Sequence, residues 1–279
     1  EATATWMEDK VYDSVDDWEF FVADFQSAPE RTLSFATTNG NDTYMYGGAV
    51  FFHYVADLYD AGGTTVVRDV WDALKGTGAD LYDGVESALS SDGFADISEV
   101  YRHFAGVRML TGARDDGTLE EGQNMTTMTV EGFGTIDSLE GGETDDPPMG
   151  MGANYVTVTT LGADEGEELT IHVRSGEPGP WAITAIAMPA SGPATISVFL
   201  DEDDNGKLEA TVPDVSAFNE VAFAITNTAN AAEGVDSTFG SGVDQTTHPF
   251  SWSFGNGGGG DPAGCGCTIP AGRRSSSSA

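Results

Sequence analysis

The sequence predicts an α+β fold, a helical first part followed by an antiparallel β-sandwich, and three observations carry that prediction. Apolar residues recur at helical spacing from residue 1 to about 112. From about Met125 to Asn230 they alternate in short runs separated by Gly, Pro, Asp and Asn. Past Asn230 the chain thins to Gly, Ser and Asp, the composition of a tether. The expected division is a helical region over 1–115, a sandwich over 118–230 and a linker with tail over 231–279.

The elements follow in order. In the opening "EATATWMED", Ala, Met and Glu favour helix, and Ala4, Met7 and Val11 make one stripe of it. No Ser, Thr, Asp or Asn stands before Glu1 to cap that helix, which suggests processing here or a segment upstream. "VDDWEFFVADFQ" places Trp18, Phe21, Val22 and Phe25 at helical spacing, with Ser14 as its cap and Pro29 as its stop. "YGGAVFFHYVADLYDAGG" reads as an apolar helix closed by Gly62 and Gly63. "TTVVRDVWDALKG" is expected to put Val66, Val67, Val70, Trp71 and Leu74 on one face, and "DISEVYRHFAGVRMLTG" repeats the pattern. The period then becomes two. "ELTIHVRS" alternates Leu169, Ile171 and Val173, "TISVFL" alternates Ile196, Val198 and Leu200, and "EVAFAIT" alternates Val221, Phe223 and Ile225. Beyond these lies one more candidate strand, "FSWSF".

Charge narrows the partners. Across 279 residues there are 46 Asp and Glu against 11 Lys and Arg, a formal net charge of −35. Such a surface repels nucleic acid and anionic lipid. It serves solubility or salt adaptation, and it also attracts cations, calcium among them. The two cysteines, Cys265 and Cys267, both sit in the tail, so the folded part has no disulfide framework and no thiolate metal site. No run approaches the ~18 apolar residues of a membrane-spanning helix.

The four histidines are His53, His103, His172 and His248; no pair is spaced i, i+4, and no HExxH occurs. His53 in an apolar helix and His172 on a strand read as structural. Two motifs nevertheless stand in a telling order. Glu1-Ala2-Thr3-Ala4-Thr5-Trp6-Met7-Glu8 matches E-[GA]-x-A-x-[WY]-x-E, and Tyr44-Met45-Tyr46-Gly47-Gly48-Ala49 matches Y-x-x-G-x-A ahead of an apolar helix. Together they resemble the distal half of a gluzincin zinc metallopeptidase. More closely, most of residues 1–230 resembles secreted metalloproteases of myxobacteria and related bacteria, the first segment most specifically.

The resemblance implies a zinc site whose third ligand is Glu1, and Tyr44 as the donor to the tetrahedral oxyanion, with Tyr46 as the fallback. Zinc held by two imidazoles and a carboxylate keeps its fourth position for a water whose pKa it lowers towards ~7. A phenol can then stabilise the oxyanion. The HExxH pair is absent and is expected upstream of Glu1, so the chain by itself is expected to be inactive. The substrate would be a protein or peptide, and the location extracellular or on the surface of a bacterium.

A second candidate site is "DEDDNGKLE". Asp201, Asp203, Asn205 and Gly206 match the front of a calcium loop, with Glu209 in place of the missing twelfth ligand. The alternative is an acidic hairpin turn built on Asn-Gly. The tail, with "GCGC" and Arg273-Arg274, resembles both ends of a myxobacterial sorting tag without its apolar span. That would make Cys265 an anchoring residue, against the alternative of a disordered end. Two function classes result: part of a secreted zinc endopeptidase, or a non-enzymatic surface module whose sandwich binds calcium or glycan.

Overall fold

The computed structural model describes residues 1–12, 17–35, 43–60, 63–75, 81–90, 96–229 and 246–255. Ser14, Gly62, Cys265 and Cys267 lie outside them. The described residues form an α+β fold with two sheets. Among them, no helix is long and apolar enough to cross a membrane.

Helix α1 (Ala2–Val11) forms where expected, but the opposite stripe is buried: Thr5, Trp6 and Asp9 face inward, while Met7 and Val11 are exposed. Trp6 lies at the centre of that buried stripe, fully enclosed in the helical core, where its indole is the largest apolar side chain the helix buries. Helix α2 (Trp18–Ser27) buries Trp18, Val22, Phe25 and Gln26 and ends just before Pro29. The short α3 (Tyr44–Gly47) leads through Gly48 into α4 (Ala49–Tyr59), whose first eight residues are all buried. Gly47 is there for close approach: a Cβ would stand 2.5 Å from both the Phe21 carbonyl oxygen and the Phe25 Cβ, where α3 lies on α2. Helix α5 (Thr65–Ala73) buries Val66, Val67 and Val70. Trp71, expected on that face, is exposed because it lies about 140° round the helix from Val66. Helix α6 (Leu81–Leu89) follows, and α7 (Ile97–Met109) starts at Asp96, whose carboxylate accepts from the Glu99 N–H at 2.8 Å.

The strands are β1 (Gly132–Thr135), β2 (Gly142–Glu143), β3 (Gly152–Thr159), β4 (Leu169–Ser175), β5 (Trp181–Met188), β6 (Thr195–Leu200), β7 (Lys207–Val212), β8 (Glu220–Asn227) and β9 (Phe250–Gly255). They build a five-stranded sheet ordered β1-β3-β8-β5-β6 and a four-stranded sheet ordered β2-β9-β4-β7. Pairing is antiparallel except between β1 and β3, which run parallel.

Two sequence expectations change here. The sandwich does not end at 230: β9 pairs with both β2 and β4, and its Phe250 and Trp252 fill the space between the sheets. The segment 201–206 is not a hairpin turn either, because β6 and β7 belong to different sheets and the acidic loop carries the chain from one to the other.

Three layers result. Leu169, Ile171, Val173, Ile183, Phe223, Trp181 and their neighbours form the core between the sheets. On the outer face of the five-stranded sheet, Ala105 and Met109 of α7 pack on Ala153, Tyr155, Ile186, Ala222 and Ala224. The helices bury their remaining apolar faces around Trp6, Phe25, Phe51 and Phe104. Strands β3, β5 and β8 are therefore covered on both faces, which is why "WAITAIAM" is buried throughout and apolar at every position but Thr184. Gly106 lets α7 sit down on the sheet, since a Cβ there would lie 3.0 Å from the Thr184 and Ile196 methyls. Two sheet hydroxyls fix its position: Thr184 Oγ1 donates to the Arg102 carbonyl at 3.0 Å and Tyr155 Oη to the Ala105 carbonyl at 2.8 Å.

Candidate binding cleft beside β6

The residues singled out in the sequence do not converge. Glu1 is exposed at the N-cap of α1, and its carbonyl accepts from the Thr5 N–H. Tyr44 is 1% exposed; its hydroxyl donates to the Arg31 carbonyl at 3.0 Å, its ring packs on Phe25 and Phe35, and burial pushes its pKa well up. A phenol so enclosed is placed as a core residue. Tyr46 is half-buried beside Phe21. Among the described residues no three His, Cys, Asp or Glu side chains gather into a metal-holding group. Glu1 therefore has no ligand set drawn from them, and a zinc ion there would need ligands from elsewhere.

The acidic loop is occupied with its own turn. Asp201 Oδ2 accepts from the Gly206 N–H at 2.6 Å and Asn205 Oδ1 from the Lys207 N–H at 2.9 Å. Asp203 is exposed, and Asp204 and Gly206 take positive φ, 49° and 73°. Glu209 stands on the outer face of the four-stranded sheet and pairs with His172 Nδ1 at 3.2 Å. His53 is 1% exposed and stacks on Trp18, with neither ring nitrogen hydrogen-bonded, and burial, then the Lys10 charge, holds its pKa down at about 3.

What the fold does assemble is a cleft of about 610 Å³ where α4, α7 and β6 meet. Strand β6 is the edge of its sheet, and the Ile196, Val198 and Leu200 side chains turn towards the helices rather than into the sandwich core. Ile196 reaches α7, but Val198 and Leu200 project past it and remain 42% and 52% exposed. They form one apolar wall. Leu58 and Tyr59, at the end of α4, form another. The polar side belongs to the first half of α7, with Asp96, Glu99, Arg102 and His103.

Most of those polar groups are held in place. The Arg102 Nε donates to the Ser98 carbonyl at 2.8 Å, and its guanidinium lies 3.8 Å from Asp96 Oδ1. His103 Nδ1 is 3.1 Å from the Tyr54 hydroxyl, which also lies 2.8 Å from the Tyr59 hydroxyl and 3.2 Å from the Val100 carbonyl. Burial pushes the His103 pKa down and both tyrosine pKa values up, so this cluster is uncharged at neutral pH. The cleft thus combines a fixed neutral hydrogen-bonding network, two apolar walls and a carboxylate-rich rim.

Sequence reasoning missed this site. Arg102 and His103 were visible only as part of a helical run, and Val198 and Leu200 read as sandwich core. The available signal was the apolar run of β5, interrupted only at Thr184, which announces a sheet covered on both faces and hence helices laid across it.

No protein-family model matches the chain, and a comparison with characterised proteins finds no match. Among solved structures, the chain is similar to CorA of Methylomicrobium album BG8, described as a surface-associated copper-binding protein important in copper acquisition. The likeness covers 46% of this chain and 98% of that one, at 13% identity and a TM-score of 0.31. A likeness of that size carries neither fold nor function across.

Proposed function

We propose that this chain is a non-enzymatic recognition module of a bacterial secreted or surface protein, with the cleft beside β6 as its binding site. The observation that carries the reading is the exposure of Val198 and Leu200 opposite Leu58 and Tyr59, with the Tyr54–His103–Tyr59 network fixed beside them. Large aliphatic side chains left half in water next to a preformed cavity gain about 25 cal/mol per Å² when a ligand covers them. The rim and the net charge of −35 favour a ligand with a cationic end. The direct probe is n-hexylammonium, an apolar stem with one cationic head, titrated into methyl-labelled protein. Saturable shifts at Leu58, Val198 and Leu200, abolished by Val198→Asp, are expected. Shifts spread evenly over the surface would reject the site.

A second reading keeps the peptidase likeness, in which Glu1 ligates zinc with histidines supplied upstream and Tyr44 serves the oxyanion. Its support is the order of the two motifs and the exposure of Glu1 at the start of α1. A polypeptide extended upstream through an HExxH should then hold zinc and cleave peptides, and lose both on Glu1→Gln. Undiminished cleavage in that variant would remove Glu1 from the chemistry.

A further inference from the structure

Strand β6 has a property that a small-molecule pocket does not need. The Asp201 N–H bonds back to the Trp181 carbonyl at 3.1 Å, so Asp201 turns its backbone towards β5. Backbone direction alternates along a strand, and the β5–β6 register runs unbroken from Ala182↔Leu200 to Ala187↔Thr195. Ile196, Val198 and Leu200 therefore each turn their N–H and C=O away from β5, along the open edge. Among the described residues, nothing else hydrogen-bonds to those groups. The side chains of the same three residues face the helical layer, and two of them line the cleft.

Open edges are normally blunted by Pro, by charge or by a bulge, because they template pairing with another chain. "TISVFL" carries none of these. Its surroundings supply charge instead: Asp96 and Glu99 across the cleft, and Asp201, Glu202, Asp203 and Asp204 directly after Leu200. A second copy of the chain would bring another −35 charge and another acidic loop to the same edge, which opposes β6-to-β6 pairing. A cationic strand meets no such repulsion.

We propose that the β6 edge and the adjoining cleft together take an extended peptide that alternates aliphatic and basic residues, added to the five-stranded sheet as its sixth strand. The proposal rests on the cleft being the binding site and names its ligand. The peptide backbone pairs with Ile196, Val198 and Leu200. Its aliphatic side chains, all on one face by strand alternation, lie between Val198 and Leu200 on one side and Leu58 and Tyr59 on the other. Its basic residues answer the acidic rim and speed encounter at low salt.

The test uses the full chain and three blocked hexapeptides: Ac-VKVKVK-NH2, the same peptide N-methylated at the residues that pair with β6, and Ac-VEVEVE-NH2. Because strand direction is not fixed in advance, both N-methylation frames are made. Calorimetric titration should give saturable binding of the basic peptide, a loss of tenfold or more in one N-methylated frame only, and no binding of the acidic peptide. Val198→Pro, which removes an outward N–H at an edge position, should reproduce the loss; the N-methylated peptides give the same information with the protein untouched. Equal binding of both frames would overturn strand addition, as would failure of the basic peptide while n-hexylammonium still binds. If n-hexylammonium also fails, the cleft reading falls with it. Concentration-dependent dimerisation of the protein alone, blocked by Val198→Pro, would assign the edge to a second copy and overturn the peptide.

Discussion

Acid should destabilise this fold through His53, with His103, whose pKa burial also lowers, acting in the same direction. The His53 imidazole is 1% exposed, stacked on Trp18 at 4.4 Å, and has Asp9 Oδ2 at 3.7 Å, beyond hydrogen-bond reach. Lys10 adds a positive charge from the same helix α1. Burial and that charge hold the folded pKa at about 3, against 6.5 for a free histidine. The unfolded chain therefore takes up a proton below pH 6.5 that the folded chain refuses until about pH 3. The contribution is constant above pH 6.5, and stability falls as pH drops through the window between the two values. Each pH unit there shifts the folding equilibrium about tenfold, so between pH 7.5 and 4.5 the loss is about 3 kcal/mol. Glu30, Asp57 and Glu131, whose pKa values burial raises, act with the opposite sign and stabilise as pH falls through their folded values. The difference between wild type and His53→Phe, which keeps a ring against Trp18, cancels them. Urea denaturation of both proteins at pH 7.5 and 4.5 should show the variant gaining about 3 kcal/mol relative to wild type at the lower pH. A relative change below about 1 kcal/mol would mean that His53 is solvated or already charged in the folded state, and would refute the packing of α1 and α2 over it.

The remaining predictions concern packing and the acidic loop. Arg108 is 1% exposed, donates to Gln26 Oε1 at 2.9 Å and to the Phe25 carbonyl, and lies over the Phe25 ring at 3.7 Å, so Arg108→Ala, which leaves a cavity and two buried acceptors without their donor, should cost about 2–5 kcal/mol in urea denaturation. Gly106→Val should lower stability by about 1–3 kcal/mol by lifting α7 off Thr184 and Ile196, read as a fall in Tm. Tyr44→Phe should cost about 1 kcal/mol, the value of its bond to the Arg31 carbonyl; a neutral result would free the hydroxyl for another role. Because Asp201 and Asn205 already accept backbone N–H groups and Glu209 is turned to His172, millimolar calcium should leave Tm unchanged; a rise of several degrees would restore the loop as a calcium site.

Periodicity made the helices and most strands legible, because a period of 3.6 or 2 follows directly from which face is buried. It failed where the buried face was not the expected stripe: α1 buries the face of Trp6, and Trp71 stays in water although its neighbours pack. It also failed where burial came from a layer far away in sequence. Alternation in "TISVFL" gave the right strand, but the face that Ile196, Val198 and Leu200 present depends on α7 lying across the sheet, about ninety residues earlier in the chain. The cleft was illegible for the same reason: its walls come from residues 58–59, 96–103 and 198–200, brought together only by layer stacking. The motifs at Glu1 and Tyr44 were local and easily seen, yet the fold exposes one and seals the other.

The most direct test of the binding cleft is amide hydrogen exchange across the whole chain, with and without saturating Ac-VKVKVK-NH2. The account predicts that the Ile196, Val198 and Leu200 amides, open to water in the free protein, slow by tenfold or more while α1 and the loop 201–206 are unchanged. Protection appearing at α1 or in that acidic loop, with β6 unaffected, would contradict it.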